Sequence, residues 1–313
     1  MGGGSPRAGR GARGPAAVSV LVLGATGHIG RAVAERLLAN GEAVVAVTRD
    51  AAHGEPLRAA GAELAVLDVL DVEALRAAMR RARRAFLLNP PADPAGDTDA
   101  AEAATVAAML AALDGSGLEG VVALSTYGAT PAPRMGDLTA LHGLEQGLAG
   151  QPIPAAVVRA AYLMSNWDLL VEPARAGTLP AMFPADFRLP MVAPADVGAV
   201  AARLLMAPAP ATGLVQVEGP ARYTPGDVAA AFARCLGRDV GVETVPPDGL
   251  EAAFRAQGFS AAAATSFARM TRATLAGDWP DEVERGPTTL AAYVAELVGR
   301  SDAPSRPGAP GGT

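Results

Sequence analysis

Gly24, Gly27 and Gly30 recur at three-residue intervals in Gly24-Ala25-Thr26-Gly27-His28-Ile29-Gly30. That spacing suits a backbone that must pass close to a pyrophosphate. Gly24 permits a tight turn, Gly27 lets the chain approach the charge, and Gly30 lets a helix pack on a strand. Glycine spacing alone is weak, and its flanks decide its meaning. Here the apolar run "VSVLVLG" precedes it, a helical stretch from Gly27 to Ala39 follows, and a second apolar run, "EAVVAVT", comes after that. A dinucleotide is the expected ligand. Gly24, Thr26, Gly27, His28, Ile29 and Gly30 are its first candidate contacts.

The end of the second apolar run reads Thr48-Arg49-Asp50. A carboxylate there would bond the ribose 2′-hydroxyl of NAD, whereas a guanidinium would pair with the 2′-phosphate of NADP. Arg49 comes first, so NADP(H) is expected ahead of NAD, although a shift of one residue would bring Asp50 to the ribose. Arg31 is either a phosphate contact or a solvated helix residue. Asp68 ends the third run, within reach of an adenine amino group, with Val69 able to pack on the ring. Asp71 is the better cap for the next helix. Asn89 and Pro90, with Pro91, end the fourth run on the nicotinamide-ribose side. Ser125 and Tyr127 end the fifth, where Tyr127 is either a proton donor or a loop aromatic.

The elements that must position these residues alternate. Apolar runs ending near Leu23, Thr48, Asp68, Asn89, Ser125 and Ala160 are continuous, as in strands buried on both faces. Between them lie helical stretches at 27–39, 71–80, 97–113 and about 137–149. That pattern is α/β: a doubly wound parallel Rossmann sheet over residues 18–160. Residues 161–300 read as a smaller, mainly helical substrate lobe that returns a strand and helix to the core. One of its helices is framed by Thr224, Pro225 and Gly237. Residues 1–17 and 301–313, rich in Gly, Pro and Arg, read as disordered tails, and the first has no apolar stretch of a secretory signal.

Composition narrows the functional classes. All 26 basic residues are Arg, since the chain has no Lys, and the net charge is -6. An acidic balance argues against nucleic acid as a partner. The absence of Lys excludes a Schiff base and a phosphate-loop lysine. No run is long and apolar enough to suggest a membrane span. Cys235 is the sole cysteine, read as a small buried hydrophobe, and a cytoplasmic location is expected. The three histidines show no metal-ligand spacing. Arg80, Arg81, Arg83 and Arg84 read as solvated charges at a helix C-terminus. A small molecule is the expected partner, and no residue pattern sets an oligomeric state.

"GATGHIGRAV", the Pro-Pro turn, Ser125 and "LHGLEQGLAGQPIPAAVVRAAYLMSNW" together resemble the NmrA-like branch of the atypical short-chain dehydrogenases. The likeness runs from about Val18 to Leu236. Glu145, Arg159 and Asn166 are its more specific part. The resemblance implies an NADP-binding sheet with a small C-terminal lobe. It implies either a reductase of quinones and other small molecules, or a redox sensor that binds cofactor without turnover. Typical short-chain dehydrogenases use a Tyr-x-x-x-Lys pair. Measured back from Glu145, those positions fall at Asp137 and Leu141, so that pair is absent. The expected activity is hydride transfer to a quinone or conjugated carbonyl, whose product anion needs little acid. Water, Tyr127 or His142 would supply the proton.

Overall fold

The computed structural model describes residues 19–302. Nearly all of both tail assignments lies outside the described residues. Ser301 and Asp302, assigned to the second tail, instead complete the last helix.

The first half alternates: β1 (Ser19–Val22), α1 (His28–Ala39), β2 (Ala43–Thr48), α2 (Ala51–Ala59), β3 (Glu63–Val66), α3 (Val72–Met79), β4 (Arg84–Leu87), α4 (Thr98–Leu113), β5 (Gly120–Thr126), α5 (Asp137–Ala149) and β6 (Ala155–Ala160). Then come β7 (Tyr162–Leu163), a 3-10 segment (Met164–Leu170), α6 (Val171–Ala176), β8 (Thr178–Ala181), β9 (Leu189–Val192), α7 (Pro194–Met206) and β10 (Gly213–Glu218). The chain ends in β11 (Arg222–Tyr223), α8 (Pro225–Leu236), β12 (Gly241–Thr244), α9 (Leu250–Ala256), α10 (Ala261–Leu275), β13 (Glu284–Arg285) and α11 (Leu290–Asp302).

Eight parallel strands form the main sheet in the order β3-β2-β1-β4-β5-β6-β10-β13. The strand order reverses between β1 and β4, which is where an open α/β sheet has its crevice. Alternate side chains of β1 serve opposite faces. Val20 and Val22 join the core shared with α1 and α7. Leu21 joins the core under α3, α4 and α5.

Two contacts weld the late elements to the early sheet. Gly198 of α7 crosses Ala32 of α1 so closely that a Cβ on it would sit 2.6 Å from the Ala32 methyl. Arg84 is the other, and it corrects the solvated reading of the arginine run. It is 3% exposed, and its guanidinium donates to the carbonyls of Leu205 and Ala207 at the end of α7. A cation there satisfies orphan carbonyls and the negative end of the helix dipole. Arg83 pairs with Glu119, and Arg81 with Glu63.

The later part also has its own core, in which Met164, Trp167, Phe183, Phe232 and Val294 are buried together. It holds more strand than expected: β7, β9 and β11 form one small sheet, and β8 and β12 another. Thr224 and Asp227 form a reciprocal capping box on α8, with Pro225 at the first turn and Gly237 in the left-handed conformation at the end. Cys235 corrects another expectation. It lies on the outward face of α8 and is exposed. Among the described residues, no helix is long and apolar enough to cross a membrane.

Candidate cofactor and active site

The glycine turn sits at the carboxyl end of β1. Gly24 has φ +60°, and a Cβ on it would meet the Leu88 side chain at 2.8 Å. A Cβ on Gly30 would lie 2.2 Å from the Gly24 carbonyl oxygen, so only glycine lets α1 start there. The first N–H to bond back along the helix is that of Arg31, to Gly27 (2.9 Å). Among the described residues, those of His28, Ile29 and Gly30 have no acceptor, as at any helix start. Ile29 is buried in the core. Thr26 is half-buried and Gly27 exposed.

At the end of β2 the Thr48 hydroxyl donates to the Asp50 carbonyl and accepts the Asp50 N–H. Asp50 caps α2 by accepting from Ala52 N–H (2.8 Å) and lies 3.3 Å from His53. Its carboxylate is therefore engaged. Arg49 is exposed, and its guanidinium has no hydrogen bond or ion pair among the described residues. Of the two neighbours, the cation is the one left free.

Asp68 is exposed and accepts from Leu70 N–H (2.9 Å), while Asp71 caps α3 through Ala74 N–H (3.0 Å). Val69 joins the core with Leu75 and Met79. At the end of β4, Asn89 has a buried Oδ1 with no partner. Such an orphan acceptor asks for a donor from outside the chain. It lies beside the sheet crevice, next to half-buried Pro90.

The end of β5 is different. The Ser125 hydroxyl donates to Glu145 (2.5 Å), and Arg159 grips the same carboxylate with a two-pronged fork (2.8 and 2.6 Å). That hydrogen bond raises the Arg159 pKa. Tyr127 turns inward, packs in the core near α7, and has a buried hydroxyl that makes no well-formed hydrogen bond among the described residues. Burial first, then the Glu218 charge, raises its pKa. His142 is half-buried on α5 with its Nδ1 unbonded. Met164 and Trp167 belong to the lobe core, whereas Asn166 is exposed.

Three groups escaped the sequence reading. Glu218 is fully buried at the end of β10 between Arg222 (3.0 Å) and Arg285 (3.2 Å). Glu102 is 2% exposed and accepts from Ala92 N–H (3.4 Å), just past the Pro-Pro turn. Burial, and then the neighbouring Asp137, push its pKa up to about 8, and burial raises Asp137 as well. The third group joins the glycine turn to the lobe. His28 Nε2 lies 3.7 Å from Asp168 Oδ2, and Tyr293 donates to Asp168 Oδ1 at 2.7 Å. Sequence separations of more than a hundred residues hide such a cluster from any local pattern.

Comparisons with known proteins agree with this geometry. The sequence model of the NmrA-like family matches residues 17–293. A (4-alkanoyl-5-oxo-2,5-dihydrofuran-3-yl)methyl phosphate reductase of Streptomyces griseus is 30% identical over 242 residues, 76% of this chain and 81% of that protein. A structure of an NADPH-dependent quinone oxidoreductase from Escherichia coli complexed with NADPH has a TM-score of 0.69 at 22% identity, covering 90% of this chain and 99% of the other. The Citrobacter sp. triphenylmethane reductase complexed with NADP(H) gives 0.71 at 16% identity, with 90% and 99% covered. The last two likenesses are of fold.

Proposed function

The chain belongs to the NmrA-like family, and on that premise we propose that it is an NADPH-dependent reductase of conjugated carbonyl compounds or quinones. The observation that carries the cofactor choice is the free Arg49 beside an Asp50 already committed to α2. A guanidinium fork suits a 2′-phosphate. The backbone of Gly24 to Gly30 would take the diphosphate, with the Ser125 end of β5 beyond it. Asp68 would take the adenine amino group. Asn89 Oδ1 would accept from a donor on the nicotinamide-ribose side, with Pro90 stiffening the turn. The cofactor, when bound, supplies the hydride.

What remains for the protein is orientation. The S. griseus relative is named for a substrate whose ring alkene is conjugated to two carbonyls. Hydride addition to such an alkene leaves an anion spread over both carbonyls. That anion needs no strong acid, which fits a β5 edge where Ser125, Glu145 and Arg159 satisfy one another. Solvent water then supplies the proton. A cytoplasmic site of action is part of this reading.

The closed β5 edge also favours a second reading, a sensor that binds cofactor without turnover. Titration of cofactor-free protein with NADPH, NADP+, NADH and NAD+, followed by an enone and quinone panel, separates the two. The reductase reading expects tight NADPH, weak NADH, and cofactor oxidation with at least one conjugated acceptor. Preference for the oxidised forms, with no turnover, would establish the sensor instead.

A further inference from the structure

His28, Asp168 and Tyr293 are not needed to explain a glycine turn. Yet they form a continuous chain from that turn to the last helix. His28 is the first residue of α1, 62% exposed at its side chain, on the surface where a diphosphate would lie. Asp168, from the 3-10 segment, is 17% exposed and held from behind by the Tyr293 hydroxyl. Burial, followed by the bond to Asp168, raises the Tyr293 pKa, so that hydroxyl stays a donor. At 3.7 Å, His28 and Asp168 are at ion-pair distance, beyond a good hydrogen bond.

Other charged groups near α1 are committed or point elsewhere. On α7, Asp196 binds Thr288 and Arg203 pairs with Glu284. On α11, Arg300 pairs with Glu296 and also faces the Tyr293 hydroxyl, where it partly offsets the effect of Asp168. Arg31 is exposed on α1 itself. Asp168 is the carboxylate that reaches His28. An imidazole is mostly neutral above pH 7 when left alone, and gains a proton when an anion sits on each side.

We propose that Asp168 is a positioning residue for the cofactor diphosphate: it holds His28 as an imidazolium between itself and a nucleoside diphosphate, so that binding takes up a proton and fastens the C-terminal lobe to the glycine turn. The inference rests on the cofactor reading above and adds proton linkage to it. The proton comes from the buffer, and no bond to carbon or phosphorus is made or broken.

The test is calorimetric titration of the full chain at pH 7.5 in two buffers of different ionisation enthalpy. NADPH and NADH are both used, because a 2′-phosphate itself titrates near about pH 6. The unaltered protein should take up more than about half a proton per cofactor with either probe. His28→Gln, at an exposed position, should bring the uptake close to zero. Asp168→Asn should at least halve it, and Tyr293→Phe should lower it less. Binding without uptake, or unchanged uptake in His28→Gln, overturns the proposal while leaving the cofactor reading intact. Unchanged uptake in a folded Asp168→Asn overturns it equally. If Asp168→Asn does not fold, the His28→Gln and Tyr293→Phe results decide. No binding of any nicotinamide by the unaltered protein overturns the cofactor reading and this one together.

Discussion

The ends of β1 and β2 and the end of β5 lie on one edge of one sheet, yet they are finished differently. At β1 and β2 the polar groups lack partners among the described residues: the N–H groups of His28, Ile29 and Gly30, and the Arg49 guanidinium. At β5 the polar groups are closed on one another, with Ser125 and Arg159 on Glu145 and Tyr127 turned into the core. Unpaired polar groups at a crevice are prepared for a ligand, whereas a satisfied network is prepared to stay still. The difference argues for a protein that invests in holding a cofactor and asks little of an acid.

The largest expected effect tests the open side. Gly30→Val puts a side chain into the Gly24 carbonyl, 2.2 Å from where its Cβ would fall. It should cost about 4 kcal/mol or more and abolish cofactor binding, read by thermal melting and titration. Next, on the closed side, Glu145→Ala strands a partly buried Arg159 and the Ser125 hydroxyl. Urea unfolding should show a loss of about 2–3 kcal/mol. A loss below about 0.5 kcal/mol would mean that the closed network does not stabilise the fold.

Arg49→Ala should weaken NADPH about 10- to 100-fold and NADH hardly at all. Equal weakening of both would end the 2′-phosphate assignment. Smaller still is a pH effect behind the Pro-Pro turn. Glu102 holds its proton more tightly when folded, with its pKa pushed up to about 8. Its contribution to stability is complete below the ordinary carboxyl range and is lost as pH rises through about 8. Glu102→Gln should flatten that decline, and identical urea midpoints against pH in both proteins would refute it. Smallest of all, Tyr127→Phe removes a hydroxyl that makes no well-formed hydrogen bond among the described residues. Turnover within about twofold of the unaltered protein is expected, and a loss above about 100-fold would restore Tyr127 as the acid.

The dinucleotide half was legible because its signals are local: a glycine turn between two apolar runs, and caps such as Asp71. What was missed was short or distant. α2 carries Gly54 and Pro56, which mask its start at Asp50. β7, β11 and β13 are two residues each, too short for any periodicity to appear. Four nearby arginines look alike in sequence, and only the sheet register sends Arg84 inward. Cys235 was misplaced by helix phase, because α8 is apolar on more than its buried face. The pairing of His28 with Asp168 and Tyr293 has no local trace.

The Arg84 anchor has a consequence for how this chain can be made. Its two carbonyl partners, Leu205 and Ala207, emerge from the ribosome more than a hundred residues after β4. Until they do, a guanidinium waits inside a half-built sheet whose α1 face still lacks α7. The nucleotide-binding half should therefore stay unsettled during synthesis until α7 arrives. A gene fragment ending at Ala160 should yield insoluble protein, although it holds every strand of an ordinary six-stranded dinucleotide fold.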